Sequence, residues 1–281
     1  LLQCISEDKI ATAVDWCCGK GHAGRLVAQT FGCSLIGVEI QQDLCEQGMR
    51  LSEGLSRYFV CCDVLQEPPD IPEDSSVFAL HSCGDLGEAV LQCADSKNAK
   101  YLYYAPCCYH KIAGEIRRPV SDTGRQMGLA LKRHELLIPS TFERFSPIRK
   151  KHRRRRDMLY RVALDLLLRE VEKRSQYRSF PPVPDRWKDM DFVTFVTTLQ
   201  KREGFTLPSK WEPEFWQEKG AQKLKEIRSI ASLRGIFSRL LEVWLAYDRA
   251  FWLQEREWQV EVGTFCESEI SPRNILLRCS R

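Results

Sequence analysis

The stretch that most constrains this chain is Ala13 to Gly24, Ala-Val-Asp-Trp-Cys-Cys-Gly-Lys-Gly-His-Ala-Gly, where an apolar run from Ile10 to Val14 meets Asp15 and then Gly19, Gly21 and Gly24. A helix-like segment follows from Arg25 to Thr30, so the stretch reads as strand, tight turn, helix. Glycine permits the sharp turn and a close approach of backbone to ligand, and the first turn of a helix presents unpaired N–H groups. Such a turn suits a ligand containing a nucleoside. The spacing also satisfies the Gly-x-Gly-x-x-Gly pattern of dinucleotide sites.

The apolar, β-branched runs that come next recur at helix-sized intervals: Ser34 to Ile40, Tyr58 to Val64, Val77 to His81 and Lys100 to Ala105. With Ala11 to Val14 they predict a parallel, doubly wound α/β sheet, whose ligands bind outside the carboxyl ends of the strands. Glu39 falls about twenty residues beyond the glycines, where an acid holds ribose hydroxyls. Asp63 closes the third run, where an adenine amino group could be met. Asp15, four residues before the first glycine, favours S-adenosylmethionine (SAM), whose cationic amino acid end matches an acid at the strand tip.

Composition divides the remainder. Residues 1–110 carry a net charge of −8 and residues 111–281 one of +12, which makes the second part the expected face for an anionic partner. Between Thr123 and Gln254 the chain is rich in Arg, Lys, Leu and Trp with helical spacing, as in Leu159, Val162, Ala163, Leu166 and in Ile230, Leu233, Phe237, Leu240, Leu241, Trp244. Both stripes read as packing faces. Ser179 to Asp185, with three prolines, interrupts the helices. Trp258 to Phe265 and Asn274 to Cys279 read as an antiparallel hairpin. The expected organisation is 1–122 as the cofactor-binding part, 123–255 as a basic helical insertion, and 256–281 as a hairpin completing the sheet.

The run Arg149-Lys150-Lys151-His152-Arg153-Arg154-Arg155-Arg156 repels itself unless an anion is near, which favours RNA or another phosphate-bearing partner over a solvated helix start. His134 carries no readable pattern. The thirteen cysteines are odd in number and include three adjacent pairs, which argues for reduced thiols and a cytoplasmic protein. No apolar run is long enough to span a bilayer, the opening residues do not read as a secretory leader, and a first residue other than methionine leads us to expect a trimmed chain or a fragment.

Two more stretches fall at strand ends: His81-Ser82-Cys83-Gly84-Asp85-Leu86 and Ala105-Pro106-Cys107-Cys108-Tyr109-His110. Three chemistries could use them. Cys107 or Cys108, with a lowered pKa, could attack a pyrimidine carbon. His110 first, or His81, could deprotonate a hydroxyl. Cys83, Cys107, Cys108 and His110 could gather zinc, though adjacent cysteines converge poorly and the two-residue separation is missing, so no metal is expected.

Asp15 with Gly19 to Arg25, the His81 to Leu86 stretch, Pro106 to His110 and Ser271-Pro272-Arg273-Asn274 together resemble a group of SAM-dependent methyltransferase-domain proteins. The group includes bacterial members, eukaryotic methyltransferase-like proteins and the glutathione S-transferase C-terminal domain-containing protein. The His-x-Cys-Gly and Cys-Cys-x-His pair is also similar to one in the tRNA 2′-O-methyltransferases of the acceptor stem, although Tyr109 stands where those carry a second His and their zinc-finger region has no counterpart here. The resemblance implies a Rossmann-like, seven-stranded class I methyltransferase fold. It also implies that His81, Cys83, Gly84, Cys107, Cys108 and His110 border the methyl-transfer site, with RNA as substrate. The competing expectations are an NAD-dependent oxidoreductase and a non-catalytic RNA-binding protein on the same fold.

Overall fold

The computed structural model describes residues 2–5, 10–140 and 148–281, with backbone alone for His81, Ser140 and 148–150. The chain divides into two compact units: residues 1–142 with 235–281, and residues 143–234.

In the first unit, β1 (Thr12–Trp16), α1 (His22–Phe31), β2 (Ser34–Glu39), α2 (Gln42–Leu51) and β3 (Arg57–Cys61) alternate, followed by β4 (Ser76–Cys83), α3 (Asp85–Ser96) and β5 (Tyr101–Cys107). A small pair, β6 (Ile116–Arg117) and β7 (Leu131–Lys132), flanks α4 (Asp122–Met127). The chain returns to this unit with α8 (Ser238–Gln254), β8 (Gln259–Thr264) and β9 (Ile275–Ser280). The sheet order is β3-β2-β1-β4-β5-β9-β8, parallel through β5 and antiparallel at β9 and β8.

Strands covered on both faces are buried along their length, which is why β5 is buried at every residue and β1 at all but Thr12. Their two-residue period then sorts the side chains. Val14, Trp16, Val77, Ala79, Leu102 and Tyr104 pack on one side with α3 and with Ala246, Ala250 and Leu253 of α8. Ala13, Phe78, Tyr103 and Ala105 pack on the other with Val27 and Ala28 of α1.

The second unit contains α5 (Ile148–Glu172), α6 (Phe192–Glu203) and most of α7 (Pro213–Ile236). Its core holds Tyr160, Ala163, Leu164, Leu167, Phe195, Val196, Leu199 and Trp216. The proline segment does interrupt the helices, and arginines cap its carbonyls: Arg161 donates to Phe180 O and Pro181 O, and Arg202 to Pro182 O.

Two expectations need adjusting. The division falls at 143 and 234, inside the 123–255 segment, because α4 and α8 pack with the sheet unit. The second apolar stripe is not a packing face over its first part: Ile230, Leu233, Phe237 and Leu240 are exposed, and only Leu241 and Trp244 pack, against the cluster around Tyr109 and Leu136. Among the described residues, no helix is long and apolar enough to cross a membrane.

Candidate functional site

The turn after β1 is left-handed at alternate residues, with φ of 54° at Cys17, 57° at Gly19 and 68° at Gly21. Glycine explains two of these; the cysteine was not foreseen, and a side chain in that region is strained. The turn is fixed from β2. Cys18 N donates to Val38 O (2.9 Å), and Glu39 accepts from Gly19 N through Oε2 (2.9 Å) and from Gln41 N through Oε1 (3.1 Å). Around Gly19 the space where a Cβ would stand is open for 4 Å, leaving bare backbone on the turn's outer side.

Asp15 is 3% exposed, and its Oδ2 accepts from Gly24 N at 2.8 Å. Burial pushes its carboxyl up to about 6, against the lowering pull of that hydrogen bond and of Arg25. Burial, with Glu39 and Cys83 nearby, pushes Cys17 up to about 12. Gly24 is there for packing, since a Cβ would stand 2.5 Å from Leu35 Cδ1 and 2.7 Å from Asp15 Cβ.

Asp63 lies two residues past β3. Its Oδ1 accepts from Leu65 N (3.0 Å) and its carbonyl from Gln66 N and Glu67 N, so it opens a local turn. The His81 backbone lies in β4, at an irregularity in the ladder with β5, and its side chain is outside the described residues.

The loops that leave β4 and β5 are locked together. Gly84 has φ 57°, and a Cβ there would stand 1.7 Å from Lys111 O. Asp85 N donates to that same carbonyl (3.1 Å), while the Asp85 carboxylate accepts from Ala113 N (2.7 Å) and Arg117 (2.9 Å). Cys83 Sγ and Cys107 Sγ are 3.3 Å apart, and Arg273 Nη1 lies 3.3 Å from Cys108 Sγ. The hydrogen-bonded Cys83 thiol and burial push Cys107 well above the usual thiol range. That is the opposite of what a nucleophile at Cys107 requires. Burial, then Lys111 and Arg273, lower His110, whose Nδ1 is buried with no hydrogen-bond partner among the described residues.

Beneath these loops lies a charged network that motif reading missed. Arg249 of α8, 1% exposed, donates to Leu245 O (2.7 Å), lies over the Tyr109 ring (5.2 Å) and approaches Glu88 at 3.8 Å. Arg117 pairs with Glu88 as well as Asp85, and Asp248 accepts from Val120 N, Ser121 N and Ser121 Oγ. A signal existed: Arg249 stands four residues from both Leu245 and Leu253, on the buried stripe of α8.

In the second unit the basic run is partly self-neutralised. Arg153 pairs with Asp189, and Arg156 donates to Lys188 O (3.2 Å); Arg149 and Lys150 have side chains outside the described residues. His152, Arg155, Arg156 and Leu159 of α5 face Lys225, Arg228, Ser229 and Ser232 of α7 across a groove of about 670 Å³. The α7 cations went unnoticed in the sequence because they are dispersed at helical spacing.

Residues 1–115 match a family model described as a methyltransferase domain. The matched residues include the glycine turn and the strands β1 to β5 of the seven-stranded sheet. Among solved structures, the chain is similar to a geranyl diphosphate methyltransferase in complex with GPP and sinefungin (22% identity, TM-score 0.29, covering 35% of this chain and 40% of that one). It is also similar to a Haloferax volcanii complex of the Trm112 methyltransferase activator with a putative methyltransferase (17%, 0.31, 37% and 49%). A third is a SAM-dependent methyltransferase from Aquifex aeolicus (17%, 0.29, 34% and 55%). The chain thus spans less than two thirds of the length of each.

Proposed function

We propose that the protein is a SAM-dependent methyltransferase that modifies RNA, with a hydroxyl as the acceptor. The observation that carries the cofactor is Asp15: a buried carboxylate at the tip of β1, beside bare left-handed backbone, with only neutral Gly24 N bonded to it. A buried carboxylate calls for a cation, and SAM brings an ammonium and a sulfonium. Glu39, at the end of β2, has acceptor capacity left on both oxygens for ribose hydroxyls. The antiparallel β9 and β8 favour this reading over a wholly parallel dinucleotide fold.

SAM supplies a methyl group already activated on sulfur. The protein's part is alignment and proton removal. Asp15, Glu39 and the Gly19–Gly21 backbone fix the cofactor, with Asp63 on the adenine side. The loops locked by Gly84 and Asp85 border the acceptor, and His110 takes the hydroxyl proton; His81 is the second candidate. The α5–α7 groove supports RNA as the substrate class, with His152, Arg155, Arg156, Lys225 and Arg228 as phosphate contacts. Incubation with labelled SAM and total RNA, followed by nucleoside mass spectrometry, tests the whole reading. A 2′-O-methyl nucleoside that disappears with His110→Ala is the expected result. Label in protein or small molecules alone removes RNA, and no label in any pool supports a binding protein instead.

A further inference from the structure

Three sulfurs converge where β4 and β5 end. Cys83 and Cys107 are direct partners across the parallel ladder. An extended chain would send the next residue's side chain to the opposite face. Cys108 instead has φ 39°, a left-handed backbone that an L residue adopts at a cost. All three Sγ atoms then lie within 4.8 Å of one another. This removes the objection that sequence neighbours converge poorly. Zinc–sulfur bonds of about 2.3 Å place the sulfurs of a tetrahedral site about 3.8 Å apart; here Cys83 Sγ and Cys107 Sγ are 3.3 Å apart and all three sulfurs lie within 4.8 Å of one another.

We propose that Cys83, Cys107 and Cys108 bind one thiophilic divalent ion, Zn²⁺, leaving a fourth position for water or a bound molecule. The half-buried Cys83 and Cys108 leave the cluster open to solvent on one side. Binding releases the three thiol protons, and the resulting Zn²⁺–trithiolate carries one negative charge. Arg273 supplies the matching positive charge and an N–H donor to Cys108 Sγ, the kind of outer contact that tunes metal thiolates. The locked loops hold the sulfurs in place before the ion arrives: Gly84 and Asp85 on one side, and Lys111 N to Cys108 O (3.0 Å) on the other. A Cys83–Cys107 disulfide needs neither the strained Cys108 backbone nor Arg273.

The test is a Co²⁺ titration of the purified chain under a non-thiol reductant, without SAM, so that its outcome is independent of the methyltransferase reading. One equivalent should produce thiolate-to-cobalt charge-transfer absorption and tetrahedral d–d bands, bleached by Zn²⁺. Cys107→Ser and Cys108→Ser should abolish the signal. Cys61→Ser, at an exposed cysteine on β3, should leave it unchanged. Should the serine variants misfold by circular dichroism, Arg273→Gln keeps every ligand and should weaken binding about tenfold. The proposal is overturned by the absence of stoichiometric absorption, by a signal that survives in folded cluster variants or is unaffected by Arg273→Gln, or by protein isolated metal-free with Cys83 and Cys107 joined in a disulfide.

Discussion

The strand ends of the sheet unit and the α5–α7 face of the helical unit both concentrate charge, by opposite means. At the strand ends Asp15, Arg117, Asp248 and Arg249 are buried and each is held by named partners. On α5 and α7 the cations line an open groove, Arg153 meets Asp189, and Arg156 both lines the groove and donates to Lys188 O. Burial makes every charge at the strand ends expensive to misplace, so that region must be rigid. Exposure makes each groove cation individually dispensable and collectively sensitive to salt.

That contrast is most easily broken at Gly84. Gly84→Ala drives a methyl into Lys111 O in a backbone region foreign to L residues, and should destabilise the sheet unit by about 4 kcal/mol. Gly235→Ala, where nothing lies within 4 Å, should be neutral or slightly stabilising in the same thermal melts. Next is Arg249→Met, which removes a buried cation beside Glu88, leaves Arg117 to pair with it, and should cost about 3–5 kcal/mol in chemical denaturation. A cost under 1 kcal/mol would mean that the network is not rigid in the sense argued.

Asp15 sharpens the comparison because its charge costs stability. The folded carboxyl keeps its proton to about pH 6, whereas the unfolded one releases it near 3.8. Stability therefore falls as pH rises through that window, by about 3 kcal/mol in full above it. Asp15→Asn, which can still accept from Gly24 N, should recover most of that at pH 8 and flatten the dependence between pH 4 and 6. Urea titrations across that range decide it, and an unchanged slope would show that Asp15 is already compensated.

The smallest stability effect belongs to the groove. Arg155→Ala with Lys225→Ala should shift stability by no more than about 0.5 kcal/mol, yet lower the slope of log affinity against log salt for single-stranded RNA by about 1.5. An unaltered slope would detach the groove from RNA.

How much of this was legible follows from how far partners lie apart. The alternation of β1 to β5 and the closing hairpin are local patterns, and the seven-stranded sheet agrees with them. Asp15 with Gly24 and Glu39 with Gly19 are separated by 9 and 20 residues and fell within one motif reading. Arg273 reaches Cys108 across 165 residues, and Asp248 reaches Ser121 across 127. Nothing local announces such pairs. The left-handed backbone at Cys17 and Cys108 was illegible because the sequence signal for that conformation is glycine. The run at 149–156 was legible as charge, but its sorting into paired and groove-facing residues depends on Asp189 and α7.

The central claim is that the buried Asp15 and the glycine turn hold the cationic end of SAM. Calorimetric titration of the wild-type chain and of Asp15→Asn with SAM, and with NAD, at pH 8 tests it most directly. The account predicts one SAM site in the wild type, weakened about tenfold or more in the variant for want of a charge-assisted contact, and no NAD binding. SAM bound equally by both proteins, or NAD bound in its place, would contradict it.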